Sequence, residues 1–165
     1  MNSLNTSAFE RSSLEASSLI LSNVETIATN RLAPEANRID QAGYYPIDIM
    51  GELGAAGAFA GHLSRHGSRF DLALRNMSAI SQHCGSTGFM TWCHDVCGLY
   101  MERSGNSSLE ARLDDHSMGR CFGGTGLSNP MKALTNIETM ALKASSVEGG
   151  YVVSGTLPWV SHINY

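Results

Sequence analysis

Two side chains near the end of the sequence, Trp159 and Ser161, have the types and the spacing to hold a flat ring. They follow the apolar residues 151–153 and stand two positions apart in "LPWVS". A β-strand repeats every two residues, so on one strand both side chains point to the same side. An indole for ring packing and a hydroxyl for one hydrogen bond then form a small binding pair. The alternative is an ordinary core tryptophan beside a surface serine, because strand aromatics commonly serve packing.

The glycine-rich stretch "GGTGLSNP" at 123–130 is the second candidate for chemistry. Its glycines, including Gly124, let backbone N–H groups come close to an anion, and Thr125 or Ser128 can add a hydroxyl. The stretch contains neither GxGxxG nor the lysine of a P-loop, so neither nucleotide fingerprint applies. A surface turn is the alternative, since Gly, Ser, Asn and Pro are the commonest turn residues.

The cysteines and histidines do not predict a metal site. None of the four cysteines forms a CxxC pair; Cys93 and Cys97 stand one helical turn apart, with His83 and His94 nearby. Zinc sites favour short cysteine pairs on loops or hairpins, so packing of small buried side chains is the better interpretation. His83, His94 and His162 have no carboxylate at a local spacing that indicates a catalytic dyad.

Composition narrows the class of protein. The chain has 165 residues, about the length of one domain, and its net charge is −4. Its basic residues are scattered, which argues against nucleic-acid binding. No apolar run approaches the roughly 18 residues of a membrane span, and the polar first residues do not resemble a signal peptide. We therefore expect a cytoplasmic protein with reduced thiols.

Hydrophobic periodicity predicts a helical first part and a β last part. Apolar residues at helical spacing indicate helices, and Pro34 is expected to lie just past the end of the first one. After Gly119, alternation and glycine-rich turns indicate strands. The predicted fold is mainly α, a helical bundle over 1–117 followed by the first strands of an incomplete β domain over 118–165. The predicted helices are 7–31, 46–54, 70–85, 86–103 and 109–114, with a loop at 40–45, and the predicted strands lie at 120–122, 137–147, 151–155 and 157–161.

Three stretches carry a resemblance to a known family. They are "YPIDIMGELGAAGAFAG" (45–61), "AISQHCGSTGFMTWCHDVCG" (79–98) and "GGYVVSGTLPWVS" (149–161). Their order and spacing resemble the N-terminal portion of the acyl-CoA dehydrogenase family of flavoproteins. Members of that family have a helical N-terminal domain, a small β middle domain and a C-terminal helical bundle. The resemblance implies that this chain holds the first domain and the opening of the second, as a truncated form.

The resemblance also implies roles for single residues. It places Trp159 beside the isoalloxazine ring of FAD and the Ser161 hydroxyl near flavin N5. Gly124, Thr125 and Ser128 fall in the loop that contacts the ring and the pyrophosphate. That loop departs from the family's Thr-Glu-Pro-Gly-x-Gly-Ser-Asp pattern, because Glu-Pro-Gly is absent and "SNP" replaces its end.

Ser86 and Thr87, where two inner helices meet, are the candidates for a substrate channel. The alternative is that these hydroxyls bond a carbonyl of the preceding turn, as buried helical Ser and Thr often do.

The implied activity is α,β-dehydrogenation of an acyl thioester with hydride transfer to flavin N5. Family members take their catalytic base from the C-terminal half, so no catalytic residue is assigned here. We expect this chain to bind FAD weakly or not at all and to show little or no activity. For the full-length protein we expect acyl-CoA or a related small molecule as the substrate, and assembly into a homo-oligomer. Two alternatives remain: a related flavin-dependent monooxygenase, and a non-catalytic helical interaction domain whose terminal strands pair with another chain.

Overall fold

The computed structural model describes residues 3–162, with side chains described from Ser12 onward. It is mainly helical and ends in one two-stranded antiparallel sheet, which confirms the predicted fold class. No helix within this range is both long enough and apolar enough to cross a bilayer. The helices are α1 (Ser3–Ile27), α2 (Ala33–Ala42), α3 (Ile47–Ala55), α4 (Phe70–His83), α5 (Gly85–Arg103), α6 (Ser107–Glu110), α7 (Leu113–Ser117) and α8 (Ser128–Leu134), and the strands are β1 (Lys143–Val147) and β2 (Gly150–Ser154).

The core lies where α1, α3 and α4 meet. Val24 of α1, Met50 and Leu53 of α3, and Ile80 of α4 are fully buried there, with Phe59 from the connection between α3 and α4. Pro46 stands directly before α3, where a missing N–H costs nothing, and the apolar positions of α3 follow at helical spacing. Burial of such side chains stabilises the fold by about 1.5–3 kcal/mol each.

Helix α5 is the central helix that carries residues of the candidate site. It begins at Gly85, directly after Cys84, whose extended backbone (φ −153°) separates it from α4. It packs against α4 on one side and α7 on the other. Its buried positions include Thr87, Cys93 and His94, so polar as well as apolar side chains face the interior.

The predicted end of the first helix before Pro34 is wrong. The chain passes from α1 through a π-helical turn (Ala28–Leu32) into α2, which runs to Ala42 across the first half of the predicted loop 40–45. Pro34 falls in the first turn of α2, a position at which proline, which has no backbone N–H, is tolerated. The helix ends instead at Gly43, whose left-handed backbone (φ 64°) suits glycine.

The β part holds fewer strands than predicted. Residues 120–122 and 157–161 are not strands, and the stretch 123–130, expected as a loop, runs at its end into helix α8. The predicted hairpin is present, with Lys143 opposite Ser154 and a turn through Gly149 (φ 80°). All ten hairpin residues are exposed, so no packed face pulls neighbouring segments into the sheet. The boundary at 117/118 stays a prediction.

Candidate functional site

A cavity of about 300 Å³ lies between α5 and the last described segment of the chain. Its wall combines aromatic and apolar side chains with three hydroxyl groups, and it contains no charged side chain among the lining residues. This composition suits a largely apolar ligand that needs a few hydrogen bonds. The lining residues are Phe89, Trp92, Thr125, Leu127, Ser128, Met131, Trp159 and Ser161.

Helix α5 supplies the aromatic wall of the cavity. Phe89 and Trp92 stand three residues apart and therefore share one face of the helix. Their rings are stacked, with centroids 5.7 Å apart and planes inclined by 21°. Phe89 is 54% exposed, so much of this wall is open to a ligand. Neither residue was predicted to line a site from the sequence; their spacing on a helix that is apolar nearly all round is the signal that could have indicated it.

The glycine-rich stretch reaches the cavity through a short backbone bridge. Thr125 and Ser161 exchange both of their backbone hydrogen bonds, with N···O distances of 3.2 and 3.0 Å. Gly124 makes this approach possible, because a Cβ atom there would overlap the carbonyl oxygen of Ser161. Gly124 itself is not a lining residue; it determines how closely the two segments approach.

Trp159 and Ser161 line the same cavity, although the segment is not a strand. Trp159 is 70% exposed, whereas Ser161 is half-buried. The Ser161 hydroxyl contacts the buried Cys93 thiol; burial raises the pKa of that thiol, and the hydrogen bond with Ser161 partly offsets the rise. The cavity thus brings together four of the residues predicted from the sequence: Thr125 and Ser128 from one stretch, Trp159 and Ser161 from another.

The two candidates for a substrate channel do not line this cavity. Thr87 is fully buried, and its hydroxyl donates to Cys84 Sγ at 3.3 Å. Ser86 is exposed in the first turn of α5. Their role in substrate binding stays a prediction, and neither side chain is within the aromatic wall.

Sequence reasoning missed a cluster of buried histidines behind the cavity. His94 of α5 and His116 of α7 stack with centroids 3.6 Å apart, and each ring Nε2 donates to the other residue's backbone carbonyl at 2.9–3.0 Å. The Gly123 N–H donates to His94 Nδ1 at 3.3 Å. The residues are far apart in the sequence, so no local spacing could have indicated this cluster.

The cluster is uncharged. Burial, with a smaller effect from His116, lowers the pKa of His94 to about 2, and burial lowers the pKa of His116 to about 4. Behind them, His62 Nδ1 lies 3.7 Å from Asp95 Oδ1, too far for a hydrogen bond. Burial raises the pKa of Asp95 well above its usual range and lowers that of His62, so burial disfavours the charged form of both groups. In the described range, no group of three or more His, Cys, Asp or Glu side chains could hold a metal ion.

Burial of His116 in its neutral form should make the free energy of unfolding depend on pH. Below pH 6.5 the unfolded chain takes up a proton at this residue, whereas the folded chain does so only near pH 4. The contribution is therefore complete above pH 6.5 and is lost as the pH falls towards 4. Between pH 7.5 and 5.5 the free energy of unfolding should fall by about 1.4 kcal/mol more in the wild type than in His116→Gln.

Chemical denaturation at several pH values measures this difference in slope. The raised pKa of Asp95 makes the free energy of unfolding rise as the pH falls, and the lowered pKa values of His62 and His94 make it fall. These three effects are present in both proteins, so they do not enter the comparison. His66→Gln is the control, because His66 is exposed in the 3-10 turn Ser64–His66. Parallel curves for the wild type and His116→Gln would contradict the prediction.

Comparison with known proteins identifies the family. The family model for "Acyl-CoA dehydrogenase, N-terminal domain" matches residues 15–113, more than half of the chain. The chain is 28% identical to the mitochondrial isovaleryl-CoA dehydrogenase of Solanum tuberosum over 148 residues, 85% of this chain and 36% of that protein. It is 26% identical to the benzylmalonyl-CoA dehydrogenase of Aromatoleum aromaticum over 79% of this chain and 36% of that protein.

A probable acyl-CoA dehydrogenase of Bacillus subtilis is 27% identical over 86% of this chain and 39% of that protein. The chain therefore spans little more than a third of the length of these relatives. No solved structure matches it. The match over 15–113 covers α3 and α4, which carry core residues, and α5, which carries the aromatic wall of the cavity. On the basis of this match, the chain belongs to the acyl-CoA dehydrogenase family.

Proposed function

We propose that this chain builds one wall of the flavin site of an FAD-dependent oxidoreductase that acts on an acyl-CoA or a related acyl thioester. The observation that carries the proposal is the meeting of two distant segments at one cavity. Thr125 and Ser128 come from the glycine-rich stretch, Trp159 and Ser161 from the last segment, and all four line the same space. These are the positions at which the family resemblance implies flavin contacts.

The lining fits part of an isoalloxazine ring. Aromatic faces at Trp92 and Trp159 can pack on a flat ring system, and the hydroxyls of Thr125 and Ser161 can hydrogen-bond to its edge. FAD, when bound, supplies the hydride acceptor of the reaction, while the protein orients the ring and excludes water. No cationic side chain lines the described cavity, so the charge of the pyrophosphate is not balanced by these residues.

The cavity lining also contains no group able to remove a proton. It has no carboxylate and no imidazole, and the buried Asp95 lies in the histidine cluster instead. Positioned general bases typically contribute about 10²–10⁴-fold to a rate. We therefore propose that a carboxylate outside the described residues abstracts the substrate α-proton. We expect this chain alone to bind FAD weakly or not at all and to show little or no turnover.

Flavin binding tests the proposal in two steps. Titration of FAD with the 165-residue chain, followed by flavin fluorescence, should show little quenching. In the protein expressed from the complete reading frame that contains this sequence, Trp159→Leu should lower FAD affinity about tenfold and shift the visible flavin spectrum, since it removes a ring-packing face. Tyr151→Leu is the control, because Tyr151 is an exposed aromatic of β2 outside the cavity lining.

Two results would count against this function. One is a protein from the complete reading frame that binds no FAD; the other is an unchanged flavin spectrum in Trp159→Leu. Stoichiometric, tight FAD binding with turnover of an acyl-CoA by the 165-residue chain would overturn the proposal that the base lies elsewhere.

A flavin-dependent monooxygenase is the second candidate, favoured by the loop that lacks Glu-Pro-Gly. Anaerobic reduction of the flavin by an acyl-CoA supports the dehydrogenase; oxygen consumption that depends on reduced flavin supports the monooxygenase. The fully exposed hairpin favours pairing with another chain as a further possibility. Mass measurement in solution tests that pairing and the predicted homo-oligomer, and the cytoplasmic location stays a prediction.

A further inference from the structure

Tyr45 and His162 join the helical part of the molecule to its last described segment. The Tyr45 hydroxyl lies 2.6 Å from His162 Nε2, and His162 Nδ1 lies 2.9 Å from the backbone carbonyl oxygen of Gly123. A carbonyl oxygen can only accept, so Nδ1 carries the hydrogen and Nε2 accepts the hydrogen of the tyrosine hydroxyl. We call this chain of two hydrogen bonds, from Tyr45 through His162 to Gly123, the clasp.

The backbone conformation and the ring contacts of His162 hold the segment 161–162 in place. His162 has a left-handed backbone (φ 62°), which is uncommon for a residue other than glycine. Its ring packs against those of Tyr45 and Phe122, with centroids 5.6 and 5.9 Å away. Directly before it, Ser161 is fixed by its two backbone hydrogen bonds to Thr125. The segment is thus held at two adjacent points.

Trp159 depends on these attachments for its place at the cavity. Its side chain is 70% exposed, so its own packing does little to fix it. The hairpin before it is exposed at every position and gives no rigid support. The clasp, the Thr125–Ser161 bridge and the half-buried Leu157, which lies against Gly126, are therefore the contacts that orient this part of the cavity wall.

We propose that Tyr45 and His162 are positioning residues of the cavity: the clasp fixes the segment that presents Trp159 and Ser161 to the ligand. The inference rests on the proposed function for the nature of that ligand. Neither Tyr45 nor His162 lines the cavity, so the clasp acts through Ser161, the neighbour of His162 in the chain.

Amide hydrogen exchange tests the clasp without any ligand. Tyr45→Phe removes only the hydroxyl, and His162→Asn removes its partner while keeping a residue that tolerates a left-handed backbone. In Tyr45→Phe the Thr125 and Ser161 amides should exchange about fivefold faster than in the wild type, as expected for the loss of one hydrogen bond. In His162→Asn, which also removes the bond to Gly123, they should exchange at least about fivefold faster. Because Tyr45→Phe breaks a bond that His162→Asn already removes, the double variant should exchange little faster than His162→Asn.

Tyr44→Phe is the matched control. Tyr44 is the neighbouring tyrosine, and its ring packs under the Arg38 guanidinium at 3.8 Å, away from the clasp. Removal of the Tyr44 hydroxyl should leave amide hydrogen exchange at Ser161 unchanged. Unchanged exchange in Tyr45→Phe would overturn the proposal, and so would faster exchange spread evenly over α3, α4 and α5, which indicates a general loss of stability.

Two further measurements separate the clasp from the proposed function. In a Trp92→Phe background, where Trp159 is the one remaining tryptophan, Tyr45→Phe should raise acrylamide quenching of Trp159 at an unchanged unfolding midpoint. In the protein from the complete reading frame, Tyr45→Phe should lower FAD affinity about fivefold while Tyr44→Phe does not. A wild type that binds no flavin, with Ser161 exchange still sensitive to Tyr45→Phe, counts against the proposed function and not against the clasp.

Discussion

Replacing Gly54 with alanine should lower the free energy of unfolding by about 3 kcal/mol or more. Gly54 lies in α3 and faces the backbone of the turn at 118–119, and Gly54 and Gly119 are both buried. A Cβ atom there would stand 2.5 Å from Gly119 N and 2.6 Å from Gly119 Cα. These are backbone atoms, so no side-chain rotation relieves the overlap, and α3 and the turn must separate.

Gly51, one turn earlier in the same helix, provides the control. A Cβ atom there meets the Gly119 carbonyl oxygen at 3.7 Å, which is an ordinary contact. Because alanine is the better helix former, Gly51→Ala should be neutral or stabilise the protein by up to about 1 kcal/mol. Urea denaturation followed by circular dichroism compares the two variants. Equal losses for both would show that helix propensity, rather than the contact with Gly119, decides the outcome.

Replacing Gly124 with alanine should have the second large effect, and a local one. The new Cβ would overlap the Ser161 carbonyl oxygen, so the Thr125–Ser161 bridge cannot form. The Thr125 and Ser161 amides should then exchange at least about tenfold faster, because two hydrogen bonds are lost together. The bridge lies away from the core around α3, so the unfolding midpoint should change little. In the protein from the complete reading frame, FAD affinity should fall about tenfold or more, since Trp159 and Ser161 move together.

Gly126→Ala separates this effect from a general intolerance of side chains in the glycine-rich stretch. The atom that a Cβ at Gly126 would meet first is Leu157 Cδ1, the end of a flexible, half-buried side chain that can rotate away. Exchange at Ser161 should therefore stay within about twofold of the wild type, because both backbone hydrogen bonds survive. A Gly126→Ala variant that matches Gly124→Ala would refute the specific role of the Gly124 contact.

The sequence predicted the helices well where the cause of the helix is local. Helices α3, α4 and α5 begin and end within one or two residues of the predicted positions, because apolar spacing and the proline before α3 act within a few residues. Pro34 misled the prediction for the same reason. Whether a proline ends a helix or begins its next turn depends on a π-helical turn that the local pattern does not specify.

For the candidate site, the residue types in two short segments can be read directly from the sequence, including the two-residue spacing of Trp159 and Ser161. Three features can be read only from the folded molecule: these segments meet at one cavity, Phe89 and Trp92 form its aromatic wall, and Tyr45 reaches His162. The spacing within a segment is fixed by backbone geometry. Contacts between distant segments depend on the path of the whole chain, which a local pattern does not encode.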